Sequence, residues 1–252
     1  MMDWAKSNRL YRLRTSSGYY CLLALDHPLT CGTLAGLENM TKWVEFAGQT
    51  NLSGVIVNKG ELINLSCHTG KGIILQLMGL PEMTEEAGLS KVPLGTIDDA
   101  VRLAADAVSL QISFESTDLN NAIKDVSALI SDAHHANFPV LLMVNNGLKP
   151  VHDTASKIKI STQLGADLIK VSLPQQIADL GERRRLTSTI RYGPPVLLAG
   201  GSASLPNFEE KLTLAADLGF SGVCVGRNIF QAADPLRMVD LIENRFSSRS
   251  SL

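Results

Sequence analysis

The sequence predicts a single α/β domain over residues 1–252, a TIM (β/α)8 barrel preceded by a short N-terminal helix. Three observations predict it. Short apolar runs alternate with helix-periodic segments from one end of the chain to the other, with no composition break of domain size. The runs number eight, and 252 residues is close to the roughly 250 of one such barrel. The last two runs each end in glycine, and the eighth carries an arginine just beyond it.

The runs are read as strands because they are short, branched and bounded by turn residues. In order they are Cys21–Leu25, Gly54–Val57, Ile73–Leu77, Val108–Ser113, Val140–Val144, Leu168–Val171, Val196–Ala199 and Gly222–Val225. Helical spacing marks Leu37–Gln49, Ile97–Ala107, Leu119–Ala136, Asp153–Leu164, Gln175–Tyr192 and Asn207–Leu218. Thr96 and Asp153 are expected N-caps. Gly165, Gly193 and Gly219 stand where helices should stop. Met78–Gly95 is the longest irregular stretch and is expected to act as a mobile lid, while the tail Ser247–Leu252 should fray.

Bulk composition narrows the function classes. Hydrophobic residues make up 45% and charged residues 19%, the balance of a soluble globular protein with a large core. A net charge of −2 gives no support to nucleic-acid or membrane-surface binding. No apolar run approaches the ~20 residues of a membrane span. The basic opening segment lacks an apolar stretch followed by a small-residue cleavage site, so it does not read as a secretory signal. Its expected role is a helix closing the bottom of the barrel, with a transit segment as the alternative. Cys21, Cys31, Cys67 and Cys224 show no CxxC spacing and are read as reduced, which points to the cytoplasm.

Barrel enzymes carry their chemistry at the C-terminal ends of strands. After the seventh strand come Gly200, Gly201 and Ser202; after the eighth come Gly226 and Arg227. Glycines leave backbone N–H groups bare, and the arginine adds a charged fork, so these residues are expected to hold a phosphate dianion. Lys170 interrupts the apolar sixth strand. An unprotonated lysine amine attacks a ketone to give a Schiff base, which then serves as an electron sink. The alternative is a packed stem whose head pairs with Asp26. Asp26 ends the first strand and is expected to move protons at a hydroxyl carbon, or else to pair with Lys170 or Lys59. His27 beside it is a further catalytic candidate, or it bonds a backbone carbonyl. Lys59, Asn145 and Asn146 are candidate substrate contacts, Lys59 either for a second anionic group or as ordinary loop charge. Nothing has the spacing of a metal site or of a dinucleotide fingerprint, so no cofactor is expected.

The segments LALDHPLTCGTLAGLE (Leu23–Glu38), GADLIKVSLP (Gly165–Pro174), PVLLAGGSAS (Pro195–Ser204) and GVCVGRNIFQAADP (Gly222–Pro235) resemble one family. It is the archaeal-type class I fructose-bisphosphate aldolases, which also includes the 2-amino-3,7-dideoxy-threo-hept-6-ulosonate synthases and the autoinducer-2 thiolases. The resemblance covers roughly Leu22 to Ile242. It implies a TIM barrel, a Schiff-base Lys170, an acid/base Asp26, a phosphate cradle of Gly201, Ser202, Gly226 and Arg227, and a homo-oligomeric ring.

The chain departs from that pattern after the fifth strand. Family aldolases carry a Tyr-Pro-Arg-Gly stretch there, with the tyrosine as an acid/base group; the matching residues here are Val144, Asn145, Asn146 and Gly147. Asparagine orients water but is no general acid. The expected function is a Schiff-base aldolase, or a related C–C lyase or transferase, acting on a small phosphorylated ketose or ketone such as dihydroxyacetone phosphate. Poor cleavage of fructose-1,6-bisphosphate is expected with it. The alternatives are a thiolase- or synthase-like protein with a different acceptor, and a catalytically impaired phosphosugar-binding barrel.

Overall fold

Eight parallel strands close on themselves in chain order, so that the first, Tyr20–Ala24, pairs with both the second, Gly54–Asn58, and the eighth, Gly222–Val225. Between them lie Gly72–Gln76, Ala107–Ser113, Val140–Asn145, Leu168–Val171 and Val196–Ala199. All eight runs read from the sequence are strands, with ends shifted by at most one residue. This computed structural model describes residues 3–65, 67, 69–79, 91–145, 153–174, 177, 179–201 and 205–247.

Every strand is covered on both faces, and its residues alternate between two cores. One set points into the barrel: Tyr20, Leu22, Ala24, Ile56, Ile74, Ala107, Leu141, Met143, Leu168, Leu197 and Cys224. Their neighbours, such as Leu23, Val55, Leu75, Val144, Ile169 and Val223, pack outward under the helices. Burying one such aliphatic side chain contributes about 1.5–3 kcal/mol, so continuous apolar runs suit two-sided burial.

The opening helix, Trp4–Arg12, plugs the N-terminal mouth as expected. Leu10 and Leu13 join the lumenal core. The basic face meets acids at strand entrances: Lys6 lies 2.6 Å from Asp167, and Arg12 lies 2.6 Å from Asp106. A cavity of about 360 Å³ opens at this end beside Arg12, Arg14 and Lys71. Its cations already have protein partners, Asp106, the Tyr20 hydroxyl and the Thr50 carbonyl.

Local chemistry sets the helix ends. Thr96 and Asp99 form a reciprocal capping box ahead of Ile97–Arg102, and Asp153 caps Thr154–Leu164. The helix expected to reach Ala107 ends at Arg102, because a tight turn through Ala104 (φ 52°) feeds the fourth strand. Asn39 delays the start of Met40–Gln49, and Asp179 caps Leu180–Arg191 in place of the earlier start at Gln175. Leu119–His135 and Leu205–Leu218 complete the expected helices, and Pro235–Phe246 follows the eighth strand.

Two features were not expected. Met78–Gly79 pairs antiparallel with Val92–Pro93, so the ends of the proposed lid form a small hairpin base; residues 80–90 of that stretch, like 248–252 of the tail, lie outside the described residues. Lys157 and Glu115 form a buried ion pair at 2.8 Å, joining Thr154–Leu164 to the end of the fourth strand. Among the described residues no helix is long and apolar enough to cross a membrane, and no three His, Cys, Asp or Glu side chains gather as metal ligands.

Candidate active site at the C-terminal mouth

Strand alternation decides which side chains reach this mouth. Counting on from the lumenal residues, the same face carries Asp26, Asn58, Gln76, Gln111, Ser113, Asn145 and Lys170. The lower lumen is therefore apolar and the upper lumen polar. The only lysine in a barrel strand, Lys170, sits beside the sulfur of Met143, with Nζ 3.8 Å from Sδ.

Asp26 is buried and held in place. Its Oδ2 accepts a hydrogen bond of 2.9 Å from Gln76 Nε2, and its backbone carbonyl accepts one of 3.1 Å from Asn58 Nδ2. Gln76 is oriented in turn, because its Oε1 accepts from the Met78 N–H at 3.1 Å. Burial alone would push the Asp26 carboxyl up. The charges of His27, Lys170 and Lys91, with the Gln76 bond, outweigh it and hold the group below its ordinary value. Asp26 is thus a carboxylate at neutral pH.

His27 moves the other way. Burial lowers its pKa, the charges of Lys170, Arg227 and Lys91 lower it further, and Asp26 opposes them. The imidazole is neutral at pH 7, with its edge toward Phe230 at a centroid distance of 5.3 Å. Its Nδ1 is buried without a hydrogen-bond partner among the described residues. Gly226 allows this approach, since a Cβ there would lie 2.5 Å from the imidazole Cε1.

The glycine loops are cross-linked. Asn228, buried just past Arg227, accepts a 3.0 Å hydrogen bond from the Gly201 N–H through its Oδ1. The same oxygen fills the space that a Cβ on Gly200 would need. The Gly201 N–H is therefore engaged by protein, and Gly200 and Gly201 shape the loop around Asn228. Ser202 and Asn146 lie outside the described residues. Lys59 turns to Asp99, with Nζ 3.5 Å from Oδ2. Asn145 ends the fifth strand on the lumenal face, opposite Ser113, and is exposed at the rim.

Val144 does not face this mouth. It pairs with Ile112 and Val171 and packs into the outer core. The acid/base position expected there is corrected by strand parity: Met143 and Asn145, not Val144, point inward. Val144→Tyr is accordingly expected to overpack the outer layer, costing about 1–3 kcal/mol in denaturant unfolding. It should not raise cleavage of fructose-1,6-bisphosphate; a clear gain would show that a ring at 144 swings into the lumen.

Two residues of the cluster carry no motif in the sequence. Gln76 ends an apolar strand, and only its odd polarity there signals a role. Lys91, in the longest irregular stretch, directly precedes the Val92–Pro93 strand, and its charge acts on Asp26 and His27.

The sequence profile of the DeoC/LacD family aldolases matches residues 20–232, from the first strand to beyond the eighth. The chain belongs to this family. Among curated relatives it is 29% identical to a 2-amino-3,7-dideoxy-D-threo-hept-6-ulosonate synthase of Halobacterium salinarum, over 96% of this chain and 91% of the relative. It is 28% identical to a 3-hydroxy-5-phosphonooxypentane-2,4-dione thiolase of Escherichia coli K12, over 96% and 82%. The barrel superposes on an archaeal fructose 1,6-bisphosphate aldolase with a TM-score of 0.79, at 20% identity, over 96% of this chain and 99% of the other. That last likeness is one of fold.

Proposed function

We propose that this DeoC/LacD protein is a class I lyase or transferase that makes or breaks a C–C bond next to a phosphorylated ketone, through a Schiff base on Lys170. The observation that carries the reading is the shared lumen of Lys170 and an ionised, rigidly held Asp26. Nζ of Lys170 attacks the ketone carbon, and loss of water gives an iminium. Asp26 takes the proton of the hydroxyl carried by the far carbon of the scissile bond, whose oxygen becomes the aldehyde carbonyl. The C–C electrons then flow into the iminium to form an enamine, and the aldehyde leaves. The reverse sequence joins two carbon units.

The loops after the seventh and eighth strands would hold the phosphate, with the Arg227 guanidinium as the charged fork. Phosphate binding positions the ketone; held equally in ground and transition states, it does not speed the bond-breaking step. A synthase- or thiolase-like acceptor chemistry is the second reading, favoured by the curated relatives named above. The impaired-binder alternative is weakened by Lys170 and Asp26 lying together. A cytoplasmic setting is supported by four free cysteines, and the homo-oligomer is what the family resemblance implies.

Trapping with borohydride in the presence of dihydroxyacetone phosphate, followed by peptide mass mapping, tests the reading; an adduct on any other lysine overturns it. Arg227→Ala should weaken phosphorylated ligands by about one to two decades, as loss of a charge-assisted contact worth roughly 1.5–3 kcal/mol implies. Calorimetry against the dephosphorylated analogue checks this. Equal losses for both ligands would give Arg227 a purely structural role.

A further inference from the structure

The N-terminal mouth, opposite Lys170, holds a concentration of charge that the proposed chemistry does not use. The whole chain carries a net charge of −2. Yet Arg12, Arg14 and Lys71 all line the cavity of about 360 Å³ at this end, with the Ser16 hydroxyl beside them. None of the described residues that line it is acidic. Like charges gathered in one concave surface raise the local potential for an anion.

The partners of these cations leave two charges unbalanced. Arg12 is neutralised by Asp106, 2.6 Å from its Nε. Arg14 and Lys71 have only neutral partners. Nε of Arg14 donates to the Tyr20 hydroxyl at 3.0 Å, and Nζ of Lys71 donates to the Thr50 carbonyl at 2.9 Å. Neither forms an ion pair among the described residues. Each is nonetheless held in place. The Arg14 guanidinium lies 5.2 Å from the centroid of the Tyr20 ring. Lys71 is tied at both ends, since its backbone N–H donates to Thr69 Oγ1 at 2.9 Å. Gly72 lets the two walls of the cavity meet, because a Cβ there would lie 2.5 Å from Leu13 Cδ2 and 3.0 Å from the Arg12 carbonyl oxygen. Cations fixed before a ligand arrives lower the cost of binding it.

We propose that this cavity is a second ligand site, one that takes a phosphate dianion, either free or carried on a small phosphate ester. The two unbalanced cations match its two charges. The planar fork of Arg14 suits a pair of phosphate oxygens, and Lys71 supplies a point charge from the opposite wall. The volume falls within the ~300–1,000 Å³ of small-molecule sites. The N-terminal end of a barrel serves stability and not catalysis. A dianion bound there ties the turn that follows the opening helix to the entrance of the third strand, Gly72–Gln76. It binds the folded chain alone, so it stabilises the fold by mass action. The site does not depend on the Schiff-base reading of Lys170.

The test uses the full chain carrying Arg227→Ala, which weakens the phosphate site proposed at the other mouth. Inorganic phosphate and glycerol 3-phosphate are each titrated by calorimetry, and thermal unfolding is followed with each, against sodium chloride at the same ionic strength. One dianion per chain should bind, with a rise in Tm that chloride does not give. Tighter binding of the ester makes the ester the ligand; equal or weaker binding makes it free phosphate. Lys71→Gln and Arg14→Gln each remove a charge but keep an amide donor for the Thr50 carbonyl or the Tyr20 hydroxyl. Each should weaken binding about tenfold or more and shrink the Tm rise. Lys71→Arg keeps the charge and should stay within about threefold of the parent. No saturable binding of either anion overturns the proposal, as does an equal Tm rise in chloride. Affinity unchanged by Lys71→Gln and Arg14→Gln together also overturns it, since the dianion is then held elsewhere. So does a loss in Lys71→Arg as large as in Lys71→Gln, since charge is then not what the site requires. Wild type that binds no more phosphate than Arg227→Ala counts against the role of Arg227 instead.

Discussion

Lys170→Met is expected to abolish adduct formation, with turnover falling on the order of 10⁴-fold or more, as when a covalent nucleophile is removed. The replacement suits the site. Lys170 sits on the sixth strand between Ile169 and Val171, which are buried, and its head already touches the Met143 sulfur. A thioether chain of similar length fills the same channel, so circular dichroism and thermal unfolding should match the wild type. Adduct surviving in Lys170→Met would move the nucleophile elsewhere, with Lys91 as the first place to look.

Asp26→Asn is the second large effect. The amide keeps the shape and the contact with Gln76 but cannot take a proton, so turnover should fall about 10²–10⁴-fold. The same change should alter acid stability. The folded-state pKa of Asp26 lies below its unfolded value, so between the two the unfolded chain binds more protons. The carboxylate's contribution to stability is therefore complete above its unfolded pKa, about 3.9, and is lost as pH falls through the lowered folded value. Denaturant titrations of wild type and variant should diverge as pH rises through that acid window and run parallel above it. Parallel curves through the acid range as well would mean that Asp26 is not held ionised by His27, Lys170 and Lys91.

Much of this is legible in the sequence. Period and length mark all eight strands, since residues buried on both faces leave unbroken apolar runs. The opening helix is legible as a plug because its leucines face one way and its cations another. Lys170 and Asp26 stand out as polar residues at the ends of such runs, where a barrel concentrates its chemistry. Other features were hidden by short-range reading. A motif match puts the acid/base position of the fifth strand at residue 144, yet one residue of parity separates the outward Val144 from the lumenal Asn145. The glycines after the seventh strand look like bare phosphate donors until Asn228, 27 residues later in the chain, takes the Gly201 N–H.

The sequence by itself determined the barrel, its C-terminal mouth, and the lysine and carboxylate that stand at that mouth, because each follows from local periodicity and burial. Only the tertiary structure decided which groups act on them. Gln76 reaches Asp26 across 50 positions of chain, and Lys91 enters the same electrostatic cluster from a loop with no motif of its own. The reason is physical. Burial is written into a strand residue by residue, whereas charge coupling depends on distances in space that barrel closure creates between segments far apart in the chain.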